Sequence, residues 1–469
     1  MTTIDTANTD DSTTQQQSTG SVTSSTYTVT PVGSLHQNEN KMRNSVDEGD
    51  TETTEGIRNP GWLTVLGTFI INFYTWGVLV SWGIFQVLQV VYNEKLYLDV
   101  YAGQTDEFRI AFVGTSASAI VLGMGLVSPW LVQYLGFRGM VALGAILCPL
   151  SMVLASFANE LWMLYCTQGA MLGIGVGLCY TGSSTLPSYC FRRLRAFATG
   201  VAASGTCLGP MVFSPVIETL ILHLGYRNAL RVLGGIGIVL TGAGTILIRT
   251  CGISLHADQQ QQDQQKAFDA RSSNTKIFTW SYIFYLLHSF LAPFGYVAPI
   301  FVSPSYASAI GATPELASLC LSIVEGANGV ARILFGWLGD HGCGRMNVVI
   351  ATTFASGVFT MTLWQKADTV PVYMAYLVLF GLTSGVFSGL QPVIAAELVG
   401  YERIQQGVGL SYFLSMFGHL FGTSIVGMLH LDTGAWLAPI LFAGTITLAA
   451  SFAVLTTRIL ICRRVFVRL

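Results

Sequence analysis

The sequence contains few charged residues. Aspartate, glutamate, lysine and arginine make up 10% of the 469 residues, whereas hydrophobic residues make up 51%. Ordinary soluble domains are about 25% charged, so this composition excludes that class. It predicts a polytopic membrane protein.

The sequence also lacks the motifs of several functional classes. None of the nine cysteines lies in a C-x-x-C pair or another ligand-like spacing, which predicts buried small residues rather than disulfides or metal ligands. No nucleophile–base pair or metal cluster is recognisable, and the G-x-G of Gly173 and Gly175 follows no strand. We therefore expect no enzyme, no cofactor and no nucleic-acid partner.

Twelve hydrophobic runs are long enough for the roughly 20 residues that a membrane span requires. In the first half they lie at 61–90, 110–134, 139–157, 161–187, 196–222 and 229–248. In the second half they lie at 278–303, 316–338, 346–365, 370–395, 405–429 and 435–460. The sequence predicts an all-α membrane protein with twelve transmembrane helices in two six-helix bundles.

Hydrophilic segments divide the chain into domains. Residues 1–58 are rich in Ser, Thr and Gln and have no apolar run, so we expect a disordered cytoplasmic tail. Residues 249–277 are a long polar connection, predicted to be a cytoplasmic linker. The N-terminal bundle is then 59–248 and the C-terminal bundle 278–460, followed by a basic cytoplasmic tail at 461–469.

The positions of the basic residues predict the orientation. If both termini are cytoplasmic, the inner connections and tails hold 17 of the 23 lysines and arginines, and the outer connections hold five. Cytoplasmic loops carry such an excess. We expect both termini inside, in the plasma membrane, with a vacuolar or other internal membrane as the alternative.

The two halves resemble each other. Arg138 follows span two and Arg345 follows span eight, 207 residues later. Arg195 opens span five and Arg403 opens span eleven, 208 residues later. Two pairs with nearly the same offset indicate duplicated halves, which are common in transporter folds.

Span eight carries two charges inside an apolar run. At 100° per residue one helix face collects small, polar or charged residues, and the opposite face is apolar. That polar face comprises Ser318, Ser322, Glu325, Gly329, Arg332 and Gly336. An arginine at the bilayer centre costs roughly 2.5–3.5 kcal/mol, so this face is expected to turn toward protein or a water-filled cavity.

Glu325 and Arg332 need separate partners. Seven residues place them about 10.5 Å apart along a straight helix, which is too far for direct contact. Intramembrane charges commonly mark solute pathways, and a guanidinium suits a carboxylate. The alternative is that each side chain pairs with a group on a neighbouring helix.

Two sequence patterns resemble those of a known family. Gly336, Gly339 and Asp340, followed by Gly344 and Arg345, resemble the signature that the major facilitator superfamily carries after spans two and eight. In the first copy, Gln133 stands where the acid is expected. The segment 189–205 resembles the start of span five in the monocarboxylate-porter branch, in its fungal form. The resemblance implies a cytoplasmic gate that comprises Arg138, Asp340, Arg345 and Arg195.

The branch also has an arginine in span eight that is implicated in anion binding, and Arg332 matches it. Two positions depart from the animal members of the branch. Asn328 stands in place of an aspartate, and Val80 in place of a span-one lysine. Lactate-type proton symport therefore does not follow from the resemblance.

These observations predict a set of site residues. Arg332, Asn328 and Glu325 are the candidates for substrate binding, although Asn328 alternatively forms an interhelical hydrogen bond. Glu325, His288 and His419 are the candidates for proton coupling, and each alternatively satisfies a neighbouring helix.

The expected function is secondary active transport of a small organic solute, an anionic carboxylate by preference. Transport would proceed by alternating access, coupled to protons or along the solute gradient. The expected partners are the solute, protons and the lipid bilayer, and no obligatory protein partner is expected. One alternative is efflux of a secondary metabolite or drug. A second alternative is a non-transporting nutrient sensor.

Overall fold

The structure is a computed structural model that describes residues 59–82, 107–191, 193–249, 279–400 and 403–462. The predicted tail at 1–58, the linker beyond Arg249 and the basic tail beyond Cys462 lie outside the described residues.

Twelve long helices form the described part of the chain, and no strand is found there. Eleven segments are long and apolar enough to cross a membrane, and one of them, Phe112–Ala155, contains the non-helical Gly136 and so holds two helices. The bounds are α1 Gly61–Val80, α2 107–135, α3 137–155, α4 Leu161–Cys190, α5 Arg195–Leu224, α6 Tyr226–Leu247, α7 Trp280–Ala309, α8 Pro314–Leu338, α9 Arg345–Thr362, α10 Val370–Val399, α11 Ile404–Thr433 and α12 Leu437–Ile461. The predicted all-α transmembrane fold is confirmed.

Glycines with positive φ recur at matching connections of the two halves. Gly136 (φ 66°) separates α2 from α3, and Gly344 (φ 78°) precedes α9. Gly225 (φ 77°) precedes α6, and Gly434 (φ 63°) precedes α12. A side chain strains this backbone conformation, so glycine suits the points where the chain reverses between helices. The duplication that the arginine spacing predicts is therefore also visible in the backbone.

Ring and hydrogen-bond contacts place both described ends of the chain on one side of the helix layer. The Trp62 ring lies 4.9 Å from that of Phe191, at the ends of α1 and α4. Arg458 Nε donates to Asn347 Oδ1 at 3.2 Å, which joins the end of α12 to the start of α9. Asp340, just before α9, accepts from the Phe197 N–H at the start of α5, which follows Phe191 in the chain. We call this the terminal side, and the other the opposite side.

Close backbone approach brings the two halves together. A Cβ on Gly336 of α8 would lie 2.6 Å from the carbonyl oxygen of Ala196 of α5, and a Cβ on Gly125 of α2 would lie 2.5 Å from that of Gly409 of α11. Small residues permit such contact between membrane helices. The α5–α8 and α2–α11 pairs therefore form the contact between halves on the terminal side.

The outer surface carries large apolar side chains. Val239 and Ile246 of α6 are 68% and 75% exposed, and Ile146 of α3 is 64% exposed. A soluble protein rarely exposes a contiguous apolar surface of this kind, whereas a lipid-facing surface does. The chain is a multi-pass integral membrane protein.

The cysteine prediction is confirmed for Cys148, Cys179, Cys207 and Cys320, which are buried and free, and is wrong for Cys166 and Cys343, which are exposed, and for Cys190. Cys190, at the end of α4, is disulfide-bonded. Seven other cysteines are free, and Cys251 lies outside the described residues. Motif spacing detects cysteines that are close in sequence, so it does not exclude a bond between distant ones.

Candidate functional site

A cavity of about 70 Å³ lies between the two halves. Its described lining comes from α1, α2, α4 and α5 of the first half and from α7, α8, α10 and α11 of the second. The lining includes Trp76, Ser118, Tyr180, Thr206, Tyr296, Glu325, Arg332, Phe387, Ser388, Gln391, Tyr412 and His419. A cavity at the interface of internal repeats is where secondary transporters place their solute site.

Helix α8 has the two faces that its periodicity predicts. Val330 and Leu334 on the apolar face are 57% and 51% exposed, whereas Glu325 and Arg332 on the polar face are 5% and 6% exposed. Both charged side chains line the cavity. The membrane charges of α8 therefore face the protein interior.

The Arg332 guanidinium joins helices of both halves. Its Nη1 donates to the carbonyl of Ala203 at 3.0 Å and to Thr206 Oγ1, both on α5. Its Nη2 donates to Ser388 Oγ of α10 at 2.8 Å. Three neutral acceptors thus fix the guanidinium, and none of them neutralises its charge.

Two buried donors at the cavity have no acceptor in the described part of the chain. They are the Nε of Arg332 and the indole Nε1 of Trp76. An unsatisfied buried donor costs about 1–3 kcal/mol, so such atoms in a native structure need a partner. A bound molecule with acceptor oxygens would supply such a partner.

Glu325 and Arg332 form no ion pair within the described residues, which agrees with their predicted axial separation. Cys207 of α5 is a neutral electrostatic neighbour of the Glu325 carboxyl. Glu325 has no cation in direct contact among the described residues.

Asn328 lies outside the cavity lining. It is fully buried, its Nδ2 lies 3.5 Å from Tyr296 Oη, and it is not among the residues that line the cavity. Its Oδ1 has no donor in the described part of the chain. The structure thus places Asn328 between α8 and α7, where an interhelical hydrogen bond, the alternative role expected from the sequence, is formed.

The two membrane histidines differ in position. His419 lines the cavity, and its Nδ1 lies 3.0 Å from the carbonyl oxygen of Ser415 on the same helix. His288 is buried away from the lining, with Nδ1 2.9 Å from the Ala450 carbonyl oxygen of α12. Of the three proton-coupling candidates, Glu325 and His419 reach the cavity.

Asp340 caps helix α5 on the terminal side. Its Oδ1 accepts from the Ala196 N–H at 3.2 Å and its Oδ2 from the Phe197 N–H at 2.8 Å. A carboxylate is favoured at a helix N-terminus, where the N–H groups are unpaired and the dipole is positive. This contact links the two halves.

Arg345 extends that contact. Its Nε donates to Asp340 Oδ1 at 2.8 Å, its Nη1 pairs with Glu397 of α10, and its Nη2 donates to the Arg193 carbonyl at 3.5 Å. Glu397 was not predicted, since no motif in the sequence joins it to Arg345.

The other two predicted gate residues are placed differently. Arg195 is 3% exposed, and its Nε donates to the Phe191 carbonyl of the same half at 3.3 Å. Arg138 is exposed and makes no hydrogen bond or ion pair with the residues that the structure describes. Asp340 and Arg345 are therefore the predicted gate residues whose side chains bond across the two halves.

Gln405, at the start of α11, is a second link between the halves that the sequence did not reveal. Its Nε2 donates to Ser128 Oγ of α2 at 3.1 Å and to the Thr181 carbonyl of α4 at 3.2 Å. Its Oε1 accepts from Thr185 Oγ1 at 3.0 Å. These bonds join α11 to the N-terminal half, whose copy of the signature has Gln133 in place of the acid.

The sequence model of the Major Facilitator Superfamily matches residues 61–310 and 285–461. The chain belongs to the Major Facilitator Superfamily. Proteins of this superfamily are transporters of small solutes, and the predicted resemblance to its monocarboxylate-porter-like branch is confirmed by the relatives below.

Two relatives are similar to this chain over most of its length. Monocarboxylate transporter 12 of Homo sapiens is 26% identical over 411 residues, which cover 82% of this chain and 78% of the relative. The agnestins efflux protein AgnL12 of Paecilomyces divaricatus is 25% identical over 417 residues, which cover 87% and 91%.

A solved structure has the same fold. The proton:xylose symporter XylE aligns with a TM-score of 0.59 over 87% of this chain and 95% of its own, at 14% identity. At this identity the likeness concerns the fold alone. It supports the all-helical transporter fold of this chain.

Proposed function

We propose that this superfamily member is a secondary active transporter of a small organic solute that carries a carboxylate. One observation carries the proposal: Arg332 is buried at the cavity between the halves with no anionic partner in contact and with Nε unpaired among the described residues. The solute carboxylate would complete this coordination. Alternating access would then expose the cavity to each side in turn.

The unpaired N–H groups of Arg332 suit a carboxylate. A guanidinium has five N–H donors, and three are engaged by Ala203, Thr206 and Ser388. The remaining donors are the N–H of Nε and one N–H of Nη2. Charge-assisted bonds from such N–H groups are how arginine binds carboxylates.

Proton coupling is part of the proposal, with Glu325 as the principal group. It shares the cavity and the α8 face with Arg332, and it has no cation in direct contact among the described residues. A carboxyl that is protonated in one state and ionised in the other would tie solute movement to protons. His419 is the second cavity group that can titrate.

The proposed orientation places the terminal side in the cytoplasm. The basic residues Arg193, Arg345 and Arg458 lie there, in agreement with the bias of cytoplasmic loops. The Asp340 and Gln405 contacts then form the cytoplasmic gate. The proposal also includes an N-terminal bundle at 59–248 and a C-terminal bundle at 278–460. It places the protein in the plasma membrane.

Arg332→Lys and Arg332→Gln test the proposal at matched surface expression, with a panel of radiolabelled monocarboxylates. We expect Arg332→Gln to weaken the affinity for the transported carboxylate at least about 100-fold, because a charge-assisted bidentate contact is lost. Arg332→Lys keeps the charge without the planar edge and should fall in between. Arg138→Gln, an exposed arginine, is the control. Unchanged affinity in Arg332→Gln contradicts the proposal.

Efflux is a second candidate direction, since one relative is named as an efflux protein. Inside-out and right-side-out vesicles loaded with the same carboxylate distinguish it from uptake. Net outward movement against a gradient would assign the efflux direction, and net inward movement would assign uptake.

A further inference from the structure

We propose that the transported carboxylate is attached to a single planar aromatic ring. This inference rests on the proposed function and names its substrate class. The described cavity lining contains six aromatic side chains, which are Trp76, Tyr180, Tyr296, Phe301, Phe387 and Tyr412.

Three of these rings form one continuous wall. The Trp76 and Tyr180 ring centroids are 5.1 Å apart at 73°, and the Tyr180 and Tyr412 centroids are 5.1 Å apart at 35°. Trp76 and Tyr180 belong to the first half and Tyr412 to the second. The wall therefore crosses the interface that must separate when the cavity changes sides.

A second wall comes from the C-terminal half. The Tyr296 ring of α7 and the Phe387 ring of α10 are 5.6 Å apart at 84°. Arg332, Tyr180 of the first wall and Tyr296 of the second wall all line the same cavity. The guanidinium is thus placed in the cavity that both walls border.

This arrangement matches the two parts of an aromatic acid. Ring pairs prefer offset or edge-to-face contacts with centroids 4.5–7 Å apart, which both walls already adopt among themselves. A solute ring between the walls would make such contacts on both faces while its carboxylate bonds to Arg332. The Trp76 Nε1–H, which has no acceptor among the described residues, supplies a further donor for an acceptor oxygen.

The cavity volume limits the size of the solute. A buried water needs roughly 10–15 Å³ of comparable volume, so the cavity of about 70 Å³ holds on the order of five to seven water-sized centres. Bonded atoms lie closer together than waters do. One ring with a carboxylate, with nine non-hydrogen atoms, is of this order of size.

Benzoate and cyclohexanecarboxylate provide the test, because they have the same charge and the same number of heavy atoms. Binding is measured on the full-length wild-type protein in lipid nanodiscs by isothermal titration, with L-lactate as the small aliphatic reference. We expect benzoate to bind roughly three- to tenfold more tightly than cyclohexanecarboxylate, as the extra strength of aromatic pairs predicts.

Variants connect the preference to the walls. Phe387→Leu and Trp76→Leu should each reduce the ratio of the benzoate and cyclohexanecarboxylate affinities toward one, whereas Trp76→Phe, which keeps a ring and loses the N–H, should retain it. The wild-type comparison needs no variant, so the proposal stays testable if a variant fails to fold.

The outcomes separate this inference from the proposed function. Equal, Arg332-dependent binding of benzoate and cyclohexanecarboxylate overturns the aromatic class and leaves carboxylate transport in place. Binding of L-lactate alone likewise overturns the aromatic class while carboxylate transport stands. Binding of no carboxylate, or binding that is unaffected in Arg332→Gln, overturns both.

Discussion

Arg332 shows why an intramembrane arginine need not be paired with an acid. Two α5 acceptors and one α10 hydroxyl hold it, so its position is fixed before a solute arrives. Its charge remains available to an anion because these partners are neutral. A preorganised cation of this kind binds without the cost of ordering its side chain.

Glu325 carries the prediction for proton coupling at the residue scale. Glu325→Gln keeps the shape of the side chain and removes its ability to ionise, so a pH gradient should no longer drive accumulation while solute exchange continues. Uptake into proteoliposomes with and without an imposed pH gradient measures both. We expect the gradient-driven accumulation to fall at least about tenfold.

His288→Gln is the matched control for that experiment, since His288 bonds to the Ala450 carbonyl away from the cavity. It should retain the response to the pH gradient. A wild-type protein whose transport ignores the pH gradient would remove the role of Glu325 altogether.

Residue-scale prediction from sequence succeeded where one helix contained the signal. The spacing of Glu325 and Arg332 within α8 was enough to place both on its buried face. Thr206, Ser388 and the Trp76 indole belong to other helices, and no periodicity within α8 could identify them. Only the packing of α5 and α10 against α8, together with the position of α1 at the same cavity, brings them to the lining that Arg332 shares.

At the scale of elements, the contact between the halves on the terminal side is asymmetric. The α5–α8 contact is ionic, with Asp340 on the α5 N-terminus and Arg345 beside it. The α2–α11 contact is neutral, with Gln405 bonded to α2 and α4. Duplicated helices thus reach the same closed contact with different side chains.

We predict that both contacts stabilise the conformation with a closed terminal side. Asp340→Asn and Gln405→Ala should each shift the population toward the conformation that is open on that side, roughly tenfold, since each removes interactions worth about 1–3 kcal/mol. The population shift in the double variant should approach the product of the two single-variant shifts, because the contacts share no residue.

Distance measurements between spin labels on the terminal ends of α5 and α8 report this shift. Arg138→Ala, which removes an exposed side chain without a described contact, should leave the distances unchanged. A distance distribution in the double variant that matches the wild type would show that these bonds do not hold the gate.

Element-scale prediction from sequence found the signature copy at Asp340 and Arg345 but not the bonds of Gln405. The charged residues of a motif stand out in a hydrophobic chain, whereas a glutamine at a helix start is common. The helix limits themselves were predictable because each apolar run has the length of a span. The break at Gly136 agrees with the predicted end of span two and start of span three.

At the scale of the whole molecule, the twofold repetition extends from sequence to backbone. The positive-φ glycines at 136 and 344, and at 225 and 434, mark equivalent turns. Duplicated halves give two similar bodies with one interface, and a cavity at that interface can face either side by small rotations.

Counterflow in proteoliposomes tests whether Arg332-dependent carboxylate transport occurs through this cavity. Vesicles are loaded with unlabelled benzoate at a high concentration, and the entry of dilute radiolabelled benzoate is followed over time. We predict a transient accumulation above equilibrium in the wild type and none in Arg332→Gln. Equal accumulation in the two proteins, or its absence from the wild type with every carboxylate tested, would contradict carboxylate transport through Arg332.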